Sequence, residues 1–67
     1  MISARNQLDG TIRSVKLGTV MAEVVAQVGE FEIVSAITRA SVESMNLRAG
    51  DRVKIVIKAT EVMVAKD

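Results

Sequence analysis

Cysteine, histidine, proline, tryptophan and tyrosine are all missing from this 67-residue chain, and Phe31 is its single aromatic. Without cysteine there is no disulfide framework, and without cysteine or histidine the commonest ligands of a structural metal are gone. The same two absences remove the side chains most used as nucleophile or general base near neutral pH. No G-x-S-x-G elbow, phosphate-cradling glycine loop or metal-ligand spacing organises the serines and carboxylates that remain, so a catalytic role is not expected. A single-stranded nucleic-acid surface needs stacking aromatics and a basic groove. One phenylalanine and a net charge of +1, from nine basic and eight acidic residues, supply neither. Apolar runs stay far below the roughly 20 residues that cross a bilayer, and the first residues lack the layout of a secretion signal, so a soluble cytoplasmic protein is expected. With no proline and no low-complexity stretch there is no linker, and residues 1–67 read as one domain.

What is present is aliphatic. Apolar residues make up 49% of the chain, almost wholly Val, Ile, Ala, Met and Leu. A domain this small buries only roughly 60% of the surface its unfolded chain exposes, and with staples excluded the remaining route to stability is oligomerisation. Period-two alternation in TVMAEVVAQV puts Val20, Ala22, Val24, Ala26 and Val28 on one face, which predicts a strand over Thr19–Val28. FEIVSAIT repeats the pattern, and Gly29-Glu30 between them reads as a tight hairpin turn. Upstream, QLDGTIRSVKLG predicts a first strand with a bend or bulge at Gly10. Downstream, Val42, Met45 and Leu47 follow helical spacing, with Thr38 or Ser41 able to cap the start and Gly50 suited to the reversal after it. DRVKIVIKA gives a strand with Val53, Ile55 and Ile57 on one face, and EVMVA a last short one. Val25, Val34, Ala36 and Val56 find no obvious partner within the chain, whereas Met21, Met45 and Met63 are spaced as core or interface packing. The order β-β-β-α-β-β, mostly β with one short helix, is that of a five-stranded OB-like barrel.

Three places could carry binding chemistry. Ser3 and Arg5 stand two apart, on one face of a strand, and together form a donor pair able to bond oxyanion oxygens. Ser41, with its own amide and that of Val42 at the start of the helix, offers a hydroxyl and backbone donors. Lys58 ends the alternating run and can add a second positive charge. Each has an ordinary reading as well: a solvated terminal arginine, a helix cap, and a lysine that keeps a sheet edge soluble.

Taken together, SARNQLDGTI, GTVMAEV, SAIT with Ser41 and Leu47 beyond it, and LRAGDRVKIVIKATEVMVAKD resemble the molbindin family over essentially the whole chain. The resemblance implies a TOBE domain without catalytic activity that binds molybdate or tungstate, here for intracellular storage, buffering or homeostasis. It implies subunits that exchange N-terminal strands in a dimer and assemble as a hexamer, a trimer of dimers with anions at subunit interfaces. The implied ligands are Ser3 and Arg5 with the Ala4 amide, the Ser41 hydroxyl with the Val42 amide, and Lys58 with the Ala59 backbone. A second class of oxyanion site is implied at Gly18, Thr19 and Val20. No catalytic cofactor, directly bound metal, nucleic acid or membrane belongs to this picture. All the implied ligands are donors, which suits a dianion with only acceptor oxygens and disfavours a protonated phosphate. Two rivals are a nucleic-acid-binding OB barrel and a purely structural oligomerisation module in which the basic groups pair with Glu23, Glu43 or Glu61.

Overall fold

The computed structural model describes residues 4–67. Its elements are β1 (Asn6–Leu17), β2 (Met21–Val28), β3 (Phe31–Thr38), the helix α1 (Arg39–Met45) and β4 (Arg52–Ile57), followed by a 3₁₀ turn at Ala59–Glu61. The four strands form one antiparallel sheet in the order β3-β2-β1-β4. β1 is the shared strand. Its first half, Asn6 to Thr11, pairs with Ile57 to Arg52, and its second half, Thr11 to Leu17, pairs with Gln27 to Ala22.

The irregularity expected at Gly10 falls instead between Ile12 and Ser14, where Arg13 is the extra residue of a bulge. Gly10 stays in the ladder opposite Val53. A Cβ there would come within 3.0 Å of both the Gln27 carbonyl oxygen and Val28 Cγ2, so the glycine permits close approach of β2 and does not bend the strand. The second strand begins at Met21, not Thr19: the Gly18 N–H donates to the Met21 carbonyl at 2.8 Å, leaving Thr19 and Val20 in the turn. At the next hairpin Val28 faces Phe31 across Gly29-Glu30, and Gly29 takes the positive φ (+59°) that the turn requires.

Thr38, not Ser41, caps α1, and Asn46 closes it in the left-handed conformation with its N–H on the Glu43 and Val42 carbonyls. Leu47 therefore lies just past the helix. Val42 points inward, and with Ile12, Ala22 and Val24 it forms the buried cluster, flanked by Val15, Ile37, Leu47 and Val53. Ala26 is the fifth fully buried apolar residue.

The expected fifth strand is not formed. After Ile57 the chain enters the 3₁₀ turn, and Val62–Asp67 adopt no regular structure. A strand exists only where an edge supplies ladder partners, and this tail meets neither β3 nor β4 along its length. The closed five-stranded barrel is accordingly, within one chain, an open four-stranded sheet. Met63 is 93% exposed, and Met21 and Met45 are exposed too, so these methionines are not core residues of the single chain. Val34, Ala36 and Val56 are exposed as expected, and half-buried Val25 lies opposite Val34 on the outer face of the β2–β3 pair.

Candidate functional site

Ser3 lies outside the described residues. Ala4 is half-buried and Arg5 is exposed, at a bend just before β1. The β1–β4 ladder ends with Asn6 opposite Ile57. Arg5 precedes that last pair at the start of β1, and Lys58 follows it at the end of β4, before the 3₁₀ turn that begins at Ala59. The fold thus gathers Ala4, Arg5, Lys58 and Ala59 at one end of the sheet. Two cations stand there together, and among the described residues no carboxylate pairs with either: the ion pairs are Arg39 with Glu43 and Lys54 with Asp9, each at 3.5 Å.

Ser41 and Val42 lie elsewhere, on α1. Thr38 Oγ1 accepts from the Ser41 amide at 3.1 Å, and the Thr38 hydroxyl donates to Ser41 Oγ at 2.8 Å. The bond between the two hydroxyls ties Ser41 Oγ to the helix cap and fixes its position, a role for Thr38 that was legible only as capping in the sequence, although the T-x-x-S spacing was visible. The Ser41 amide itself is taken by Thr38, and the Arg39 amide by the Val20 carbonyl at 2.8 Å. In a helix that starts at Arg39 the Val42 amide is aligned with the Thr38 carbonyl, so the first-turn amide left over is that of Ala40.

Gly18, Thr19 and Val20 sit at this same end. Arg39 holds the turn from two sides, with its amide on the Val20 carbonyl and Nη1 on the Gly18 carbonyl at 3.3 Å. A Cβ on Gly18 would meet the Met21 carbonyl oxygen at 2.8 Å, so only glycine fits.

The expected ligands are divided. Asn6–Thr11 separate Arg5 from Ile12, the β1 residue on which Val42 packs. At strand spacing that stretch spans roughly 20 Å, far more than one tetrahedral anion bridges. Arg5 and Ser41 of one chain do not meet. A groove of about 540 Å³ runs along Asp9, Thr11, Gln27, Arg52 and Lys54, but it contains none of the expected ligands and includes a carboxylate. Among the described residues no group of three or more acidic side chains is placed to hold a metal ion, and no helix is long and apolar enough to cross a membrane.

The family model of the TOBE domain matches residues 2–64 of this chain. The chain is 44% identical over 64 residues to molybdenum-pterin-binding protein 3 of Clostridium pasteurianum, covering 94% of each. Among solved structures it is similar to a molybdate-binding protein from Sporomusa ovata, with a TM-score of 0.94 and 44% identity over 98% of both chains. It is also similar to MopII from Clostridium pasteurianum, at a TM-score of 0.93 and 42% identity over 98% of this chain and all of that one. The chain belongs to the molbindin family of TOBE-domain proteins, a family of binding proteins and not of enzymes.

Proposed function

We propose that this protein binds molybdate or tungstate in sites built between copies of the chain, and that it stores or buffers the anion in the cytoplasm. The observation that carries the reading is the likeness, over 98% of both chains at a TM-score of 0.94, to a protein described as molybdate-binding. Arg5 and Lys58 neutralise the dianion. Ser3, the Ala4 amide and the Ala59 backbone complete the donor group at that end. Ser41, with the Val42 amide or its neighbour Ala40, comes from a different subunit, because the two ends of one chain lie too far apart. Gly18, Thr19 and Val20 form a second class of site.

The assembly is a hexamer, a trimer of dimers with exchanged N-terminal strands. Support comes from the open sheet and from the apolar side chains left uncovered in one copy, including Val34 at 63% and Phe31 at 67% exposure. Surfaces of this kind resemble half of a core. Pairing of a partner's strand along β3 or β4 supplies the fifth strand that the chain does not make for itself.

Native mass spectrometry with and without molybdate tests both parts together. The expected result is a hexamer that gains a whole number of molybdate ions, with phosphate and a single-stranded oligonucleotide giving no adduct at physiological salt. A folded monomer that takes up no molybdate would overturn the reading.

A further inference from the structure

We propose that Gln7 is a positioning residue that sets the anion selectivity of the Arg5 end, by fixing which way the Ala4–Arg5 peptide faces. The inference rests on Arg5 as an anion ligand. Arg5 lies outside the β1–β4 ladder, which begins at Asn6, so no strand partner holds the bend before it. What does hold it is the Gln7 side chain, whose Nε2 donates to the Ala4 carbonyl at 2.7 Å. That distance is at the short end of the N–H···O range.

The consequence follows from peptide geometry. In a trans peptide the carbonyl of residue i and the N–H of residue i+1 point in opposite directions. With the Ala4 carbonyl tied to Gln7, the Arg5 N–H faces the other way, and the only acceptor of that peptide is occupied. If the peptide turned over, a donor would be exchanged for an acceptor beside Arg5 and Lys58. An exposed carbonyl repels the oxygens of molybdate, which carry no hydrogen, but accepts a bond from the hydroxyl of hydrogen phosphate. Gln7 thereby keeps the Ala4 carbonyl from presenting an acceptor at this end. Its side chain is exposed and bears no charge, so the effect runs through the peptide and not through the core or the local field.

The test compares wild type with Gln7→Met, which keeps the side-chain length and loses the donor. Titration calorimetry with molybdate and separately with inorganic phosphate is run on both, with native mass spectra to establish equal assembly. Loss of one neutral hydrogen bond predicts molybdate binding weaker by about 3- to 10-fold. Phosphate binding is expected to hold or improve, so the preference for molybdate narrows. Unchanged molybdate affinity, or an equal loss for both anions, would overturn the role of Gln7. Failure of the proposed function is distinguishable, because wild type itself would then show no molybdate heat; the role of Gln7 in selectivity would fall with it.

Discussion

The two ends of β1 are finished to different degrees. At the Leu17 end the turn at Gly18–Val20 is bonded to Arg39, the helix is capped at Thr38, and Val42 is driven into Ile12, Ala22 and Val24. The turn and the helix start are held by bonds within the same chain. At the Asn6 end β1 pairs with β4 alone, the chain beyond Ile57 runs on without a ladder, and among the described residues no carboxylate pairs with Arg5 or Lys58. One end is a small folded core. The other is an open sheet end, which the proposed function makes half of a site and half of an interface. The contrast separates stability from ligand affinity, and substitutions at the two ends should separate them too.

The largest effect is expected at the finished end. Ile12 is 2% exposed and touches both the sheet and the helix, so Ile12→Ala removes buried methylenes where little can collapse to fill the space. Truncations of this kind cost ~2–5 kcal/mol, a large share of the stability of so small a domain. Urea denaturation without anion, to keep ligand stabilisation out of the comparison, measures it. If Lys58→Ala lowered the midpoint as much, the two ends would not be energetically distinct.

The converse is expected at the open end. Arg5→Ala should leave the anion-free unfolding midpoint near wild type and weaken molybdate binding by ~1.5–3 kcal/mol, ~10- to 150-fold, the range of a hydrogen bond to a charged group. Lys58→Ala should act alike. Arg5→Lys should recover only part of the loss, because an ammonium keeps the charge and loses the planar fork of donors. Calorimetry paired with the oligomer mass of the same sample decides the matter: unchanged affinity in an intact assembly would remove Arg5 from the site.

What could be read from the sequence follows the same division. Strands β2, β3 and β4 and the helix were legible because each buries one face of a regular repeat, and Val24, Val42 and Ile12 declare that face locally. The Gly29-Glu30 turn was legible because it requires a positive φ. The bulge at Arg13 was not, since it is set by how β1 must change partners from β4 to β2, and the nearer glycine at position 10 drew the irregularity to itself. EVMVA alternates as a strand should, but whether it becomes one depends on an edge that the chain does not supply. The SARN and IKATE motifs flank strands that pair, so Arg5 and Lys58 fall at the same end of the sheet. That Ser41 belongs to the far end of β1 is a fact of topology, which no local motif encodes.

A smaller effect tests whether the finished end also serves the ligand. Thr38→Ala removes the acceptor for the Ser41 amide and should cost ~1 kcal/mol of stability, as loss of an N-cap does. The same substitution frees Ser41 Oγ from the hydroxyl that donates to it. Molybdate affinity in the intact oligomer should therefore fall modestly as well, because the Ser41 hydroxyl no longer has a fixed direction. Thr38→Ser should restore both quantities, and a variant that lost stability with affinity untouched would show that Ser41 takes no part in binding.

The smallest effect concerns charge at the finished end. Arg39 and Glu43 form an i, i+4 pair at 3.5 Å with both side chains largely in solvent, 42% and 61% exposed. Its orientation is the poorer one, a cation in the first helical turn where the dipole disfavours it. Glu43→Gln should accordingly change stability by no more than ~0.5 kcal/mol, and less in high salt. Arg39→Ala removes the same pair and, in addition, the guanidinium bond to the Gly18 carbonyl. If the turn matters to the closure of this end, Arg39→Ala must cost more than Glu43→Gln, and the excess must persist in high salt, because the contact to a neutral carbonyl is short-ranged. Equal costs that vanish together with salt would mean that the backbone bond from Arg39 to Val20 holds the turn unaided, and that the end is closed by its core and its cap alone.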